Sequence, residues 1–420
     1  MTFTGPTRGT ASWTSLSKGQ RFLAENVREA LDEPGQWYLD LKPGTLTYLP
    51  KPGEDPGSTL VEAPWLKTLV HLKGNAEEHQ FVRYLEFRGL TFSGSNWYSP
   101  PQGNSFPQAE AMLSAAIEAE GARDCSWSGC SVSHVGAYAI NLDAGCQRNL
   151  IENCELTDLG GGGIKIGETA YQNDDEAVAS GNTVRQTLIA HGGRMHPAAV
   201  GIWIGHSPHN TISHNEITDF YYSGISVGWS WGYGKSHAHH NRFEANHIHN
   251  LGQGVLSDMG GIYSLGVSPG TEMTLNRIHD VQSFDYGGWG IYFDEGSTDI
   301  LARDNLVYRT KTGGFHQHYG RDNRVLNNIF AFSQEGQIIR TRPEPHRSFT
   351  FEHNIVYWSQ GTLLGSNWSG DGFFLDHNLY WNAEQAPILF AGQTFEQWQK
   401  RGQDVHSRIA DPHFADPEHG

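Results

Sequence analysis

The sequence is poor in charge, in long apolar runs and in cysteine. Only 18% of its 420 residues are charged, against 37% apolar and 12% aromatic, which argues against a disordered chain. The formal net charge of −17 makes a nucleic acid or an anionic membrane an unexpected partner. It leaves room for an acidic substrate in a local basic pocket. No apolar run approaches the roughly 20 residues of a membrane-spanning helix. The opening Met1-Thr-Phe-Thr-Gly-Pro has neither the basic start nor the apolar stretch of an export signal. The four cysteines all fall between residues 125 and 154. They show no Cys-x-x-Cys metal spacing, and no cofactor is expected.

Glycine is abundant instead, at 50 residues, and a short phrase recurs: an apolar residue, then Asn, then an apolar residue. It reads Ile151-Glu-Asn-Cys-Glu-Leu, Ile212-Ser-His-Asn-Glu-Ile, Phe243-Glu-Ala-Asn-His-Ile and Met273-Thr-Leu-Asn-Arg-Ile, and goes on to Leu375-Asp-His-Asn-Leu. The asparagines at 215, 246, 276, 305, 328, 354 and 378 are spaced by 31, 30, 29, 23, 26 and 24 residues. Asn153 lies 62 residues before Asn215, two repeats, with Gln186 expected to stand for Asn in between. Such a period means a solenoid. A second phrase, Gly then alternating apolar residues, gives Gly163-Ile-Lys-Ile, Gly201-Ile-Trp-Ile, Gly224-Ile-Ser-Val, Gly261-Ile-Tyr-Ser, Gly290-Ile-Tyr-Phe and Gly314-Phe-His-Gln. Each coil therefore holds at least two strands. The expected fold is all-β, a right-handed parallel β-helix of about ten coils. Each Asn is expected to stack at a bend and bond to the next coil. Cys130 and Cys154 align on adjacent coils, as reduced core residues or as a disulfide.

Ahead of the solenoid, residues 19–34 read as a helix or helical turn stopped by Pro34 and Gly35. Trp37–Asp40 and Thr45–Leu49 read as a hairpin around Lys42-Pro-Gly-Thr. Residues 1–75 are expected to form this N-terminal segment, packed on a solenoid spanning 76–415. Residues 95–115 read as an insertion without strand character. The start lacks a cap and the last residues stop within a phrase, so a piece of a longer protein is expected.

If Ile164, Ile202, Ile225, Ile262, Ile291 and Phe315 point inward, their successors point out. That outward column is Lys165, Trp203, Ser226, Tyr263, Tyr292 and His316. Two residues on, the next column is Gly167, Gly205, Gly228, Leu265, Asp294 and His318. Aromatic faces with interspersed hydrogen-bonding groups suit a sugar ring. Lys165, Trp203, Trp229, Tyr263, Asp285, Tyr292, His316 and His318 are therefore expected to bind substrate along one solvent-facing groove. Among the 22 histidines most read as corner residues, His247-Ile-His included. His316 and His318 share a face, but no third ligand matches their register, so no metal is expected.

Acids on this stripe are few: Asp258, Asp285 and the pair Asp294-Glu295. Cleavage of a glycosidic bond needs one protonated and one ionised carboxyl group. Asp258 lies four residues before Ile262 and Asp294 three after Ile291. On straight strands that is over ~20 Å. Bends at Gly260-Gly261 and Gly287-Gly288 must bring them together.

The motifs Ser257-Asp-Met-Gly-Gly-Ile-Tyr-Ser-Leu-Gly, Asp285-Tyr-Gly-Gly-Trp-Gly-Ile-Tyr-Phe-Asp-Glu-Gly-Ser and Thr312-Gly-Gly-Phe-His-Gln-His-Tyr-Gly resemble bacterial glycoside hydrolase family 141. That resemblance implies a secreted or periplasmic protein with fucosidase- or xylanase-like activity on a plant or algal carbohydrate; a monomer is expected. Carried over by motif, its catalytic aspartates fall on Asp258 and Asp294, with Glu295 as rival to the second. A polysaccharide lyase using Lys165 or Lys311 as base, and a non-catalytic carbohydrate-binding solenoid, are the alternatives.

Overall fold

The computed structural model describes residues 18–55, 57–76 and 78–417. The chain forms two compact units, Met1–Pro64 with Ser99–Pro107, and Trp65–Tyr98 with Gln108–Gly420. In the first unit, Trp37–Asp40 pairs antiparallel with Thr45–Tyr48. This is the expected hairpin, and the Asn26 side chain clips onto the backbone of Leu39. The helix expected over 19–34 is reduced to one 3-10 turn, Arg28–Ala30, with no buried residue. Without a face to bury, a short amphipathic stretch has little to hold it helical.

The second unit is the parallel β-helix. Among the described residues its three sheets hold eleven, twelve and twelve strands, more coils than the ten expected. Val70–Lys73 already pairs with Ala115–Glu120 in the eleven-stranded sheet, so the solenoid begins before residue 76. In a typical coil the chain runs through a strand of this first sheet (Ile164–Ile166) and a long loop. It continues through a strand of the second sheet (Thr183–Arg185), a tight corner and a strand of the third sheet (Leu188–Ala190).

The inward column is as read. Ile164, Ile202, Ile225, Ile262, Ile291 and Phe315 are register partners in sequence and fully buried. The recurring glycine before each of them has a steric cause. A Cβ on Gly261 would collide with Ile278 Cγ2, and one on Gly290 with Val307 Cγ1. The glycine thus faces the third sheet across the core, and only a hydrogen fits there. Two successive inward positions also break the alternation, which throws the residue before the glycine outward.

The corner between the second and third sheets carries the asparagine ladder. Asn215, Asn246, Asn276, Asn305, Asn328, Asn354 and Asn378 are buried. Each Nδ2 from Asn215 to Asn354 donates to the next Oδ1, as Asn276 does to Asn305 at 2.9 Å. The residue before each takes a left-handed φ, such as 56° at His214, which turns the chain in one step. At the first coils the ladder position is not Asn153 and Gln186. Those two carry the left-handed φ themselves. Cys154 and Thr187 stand in the ladder, Cys154 N bonding Thr187 Oγ1 and Thr187 N bonding Asn215 Oδ1. A second ladder, Asn149, Asn182, Asn210 and Asn241, braces the corner entering the second sheet.

All four cysteines are free and buried, and burial raises the thiol pKa of Cys125, Cys146 and Cys154. At the C-terminal side a capped helix, Phe395–Lys400, inserts Trp398 against Phe373 and Phe390. This covers apolar surface that the sequence reading left open.

Candidate active site

The outward column of the first sheet keeps the expected register, Lys165 beside Trp203, Ser226, Tyr263, Tyr292 and His316. It is not the open groove expected. All six are buried: Gln108–Leu113 lie over Tyr263 and Lys165, Trp229 over Trp203 and Trp289 over His316. Lys165 Nζ donates to the carbonyls of Ala111 and Leu113. Tyr138 donates to Ala109 O, and Glu110 Oε2 lies 2.7 Å from His196 Nδ1, both side chains buried. Trp203 lies under Trp229, ring centroids 5.3 Å apart. Lys165 and Trp203 are thus part of the packing and not free to hold a ligand. Trp229 is half-buried, and its neighbour Trp231 is exposed.

Farther along the column the acids converge. Asp258 takes a left-handed φ of 60°, which folds the chain back over the outer face. Gly287 makes room for it: a Cβ there would lie 2.7 Å from Asp258 N. Gly260 and Gly261 stay within the strand Gly260–Ser264, so the bend is at Asp258 and Gly287-Gly288. Tyr222 fastens it, donating to Asp258 O at 2.8 Å.

Tyr292 stands between the two acids in chain order. Its hydroxyl donates to Asp258 Oδ1 at 3.0 Å, and Asp294 follows two residues on, just past the end of the same strand, Trp289–Phe293. The charge of Asp294 acts on Asp258. Asp294 is 5% exposed. Its Oδ2 accepts from Tyr263 at 2.5 Å, and its Oδ1 lies 3.2 Å from His318 Nδ1. Gln108, from the insertion, donates to the hydroxyls of both Tyr222 and Tyr263 at 3.0 Å.

The two acids differ in surroundings. Burial, then the charges of Asp294 and Glu295, push Asp258 up to about 7. Burial also raises Asp294, but Tyr263, His318 and Tyr292 favour its ionised form. One carboxyl pushed towards neutrality stands beside one that Tyr263 and His318 contact directly.

Glu295 turns aside: its Oε2 accepts from Tyr319 at 3.2 Å. It acts on Asp258 through charge. Asp285 is exposed, and its backbone carbonyl accepts from Lys311 Nζ. Lys311 also reaches the carbonyls of Ser283 and Phe284, so both lysines considered as a base are tied to backbone. His318 holds Asp294 and is partly exposed. His316 is buried in a stack with Tyr292 (4.7 Å) and Trp289 (4.2 Å), its Nε2 on Thr341 Oγ1. Among the described residues Trp289 Nε1 and His316 Nδ1 are buried without a partner, two polar atoms one side chain away from the acids. A separate hollow lined by Asp219, Gln253 and Asp280 lies on the third sheet, away from this chemistry.

Sequence reasoning missed Gln108, Tyr222, Tyr286 and Trp289. Tyr286 is exposed, and the charges of Asp258 and Asp294 act on its hydroxyl. Trp289 follows from the broken alternation at Gly290, whereas Tyr222 stands two residues before Gly224 and follows from no such rule. Nothing in the repeat indicates where Gln108 falls.

A family model described as "Right handed beta helix region" matches residues 115–261. A solved structure titled "Glycoside hydrolase" is similar at 23% identity and TM-score 0.60, covering 78% of this chain and 57% of its own. A lacto-N-biosidase of family GH136 from Eubacterium ramulus is similar at 13% identity and TM-score 0.48, covering 72% of this chain and 60% of its own. The tailspike protein of E. coli bacteriophage HK620, in complex with a pentasaccharide, shares 8% identity at TM-score 0.48, covering 76% of this chain and 56% of its own. No curated protein matches the sequence. The chain spans little more than half the length of these structures, and the likeness is one of fold: a right-handed parallel β-helix.

Proposed function

We propose that this chain is a glycoside hydrolase in which Asp258 is the proton donor and Asp294 the ionised partner. The observation that carries the reading is a pair of buried carboxyls from adjacent coils, Asp258 pushed up to about 7 beside the Tyr292 hydroxyl and Asp294 held by Tyr263 and His318. Asp258 gives its proton to the leaving glycosidic oxygen. Asp294 attacks the anomeric carbon or activates a water there. Tyr263 and His318 hold Asp294 in place, and His318 and Tyr286 present the partly exposed surface on which a sugar is received. Burial keeps Asp258 protonated, with repulsion from Asp294 and then Glu295 adding to it.

The resemblance of the site motifs to family 141 and the solved structure titled glycoside hydrolase support the same reaction class. Because the chain spans part of that structure, the activity of the whole protein belongs to this proposal. The backbone bonds of Lys165 and Lys311 disfavour a lyase. The test is a screen of aryl glycosides, fucosides and xylosides included, and of plant and algal polysaccharides, with release of reducing sugar as readout. Hydrolysis by the parent and its loss in Asp258→Asn and Asp294→Asn is the expected result. Hydrolysis that survives in both variants, or sugar binding without any turnover, contradicts it.

A further inference from the structure

The third sheet carries a histidine group that the reaction does not use. His247 and His249 point to one side of the strand His247–Leu251. They stand on that strand and not at a corner, as the sequence reading had them. His279 is the register partner of His249 on the next coil. The rings of His247 and His249 are 4.1 Å apart, and those of His249 and His279 4.9 Å. One nitrogen from each of the three lies within 4.8 Å of the others.

The protonation pattern is set from outside. His279 Nδ1 lies 2.6 Å from Asp280 Oδ2, so the ring donates there and its Nε2 is left as a bare lone pair. Arg309 fixes Asp280 through two bonds of 2.7 and 2.6 Å. The bare Nε2 points at His247 Nε2, 2.8 Å away. A carboxylate behind the far nitrogen of an imidazole is the usual support of a metal-ligating histidine. His247 and His249 are half-buried and reachable from solvent. Glu216 Oε1, 3.2 Å from His249 Nε2, adds negative charge beside the positive Arg277 on the next strand.

We propose that His247, His249 and His279 form a binding site for a late first-row divalent ion such as zinc, on the face formed by the third sheet. Zn–N bonds in tetrahedral geometry set two ligand nitrogens about 3.3 Å apart. The His247–His279 pair therefore has to open by only about half an ångström. Imidazole-rich sites suit zinc, copper and nickel better than calcium or magnesium.

The experiment is equilibrium dialysis of the full chain against zinc after chelator treatment, with bound metal measured by mass spectrometry. The parent is compared with His247→Ala/His279→Ala and with the control His377→Ala, which touches the separate Asp376–His377–His406 group. The expected result is that the double variant binds one equivalent less than the parent, and the control binds as before. Equal zinc in parent and double variant, or none in the parent at tens of micromolar, overturns the site. Far-ultraviolet circular dichroism checks the variant's fold. Cobalt in the intact parent gives a second readout: the intense visible bands of a four-coordinate nitrogen site are expected, and the weak spectrum of the hydrated ion overturns it.

Discussion

Tyr292 donates its hydroxyl to Asp258 Oδ1 at 3.0 Å, from a strand that ends one residue before Asp294. That hydrogen bond favours the ionised form of Asp258. Tyr292→Phe removes that bond. The high-pH limb of kcat/KM, set near 7 by Asp258, is expected to move to higher pH, with kcat down roughly tenfold. A pH–rate profile measures both, and an unmoved limb means that Tyr292 does not act on the proton donor.

Asp258 destabilises the fold for which it provides chemistry. Below about pH 4 the carboxyl is protonated in both folded and unfolded chains and costs nothing. Between that and about 7 the unfolded chain ionises and the folded one does not, so stability falls as pH rises. Above this range the cost is constant. Asp258→Asn removes it. The melting temperature of the variant relative to the parent is expected to rise by a few degrees from pH 4 to pH 7 and then level off, as followed by calorimetry.

The ladder is expected to hold far more stability than any surface pair. Asn276 is buried; its Oδ1 accepts from Asn246 N and Nδ2, and its Nδ2 donates to Phe243 O and Asn305 Oδ1. Asn276→Ala leaves the Asn246 N–H without a partner inside the wall, at a cost of about 2–4 kcal/mol. Denaturant unfolding checks this, with Arg324→Ala, at an exposed position of the strand Asn323–Leu326, as a control expected to change little.

Much of this was legible because it repeats. The inward isoleucines, the outward column and the asparagine steps recur once per coil, so one register serves them all. The convergence of Asp258 and Asp294 was legible only as a requirement, since straight strands hold them apart. The left-handed turn at Asp258 that satisfies it is a single-residue event. Features that occur once were missed. The Gln108–Leu113 cover over Lys165 follows from tertiary packing and leaves no periodic signal. The register slip at Asn153, where Cys154 takes the ladder place, arises because an Asn also suits the left-handed position beside it. The absence of a helix over 19–34 reflects a pattern with nothing to pack against.

Lys165 separates packing from chemistry. Its ammonium is buried, its pKa is lowered by that burial, and its bonds go to the insertion. Lys165→Met is expected to speed proteolysis within residues 108–115 and to leave kcat within about threefold of the parent. Limited digestion and initial rates measure the two effects. A loss of kcat as large as that of the aspartate variants returns Lys165 to the catalytic group.

The central claim is a division of labour between two carboxyls, and the most direct test varies the leaving group. A proton donor matters little when the departing phenol is strongly acidic and greatly when it is a sugar or a simple alcohol. Rates are measured for the parent, Asp258→Asn and Asp294→Asn on dinitrophenyl and on unactivated glycosides of the same sugar. The account predicts that Asp258→Asn stays close to the parent on the dinitrophenyl substrate and falls by about a hundredfold or more on the other, while Asp294→Asn falls on both. Equal losses for Asp258→Asn on the two substrates would contradict it.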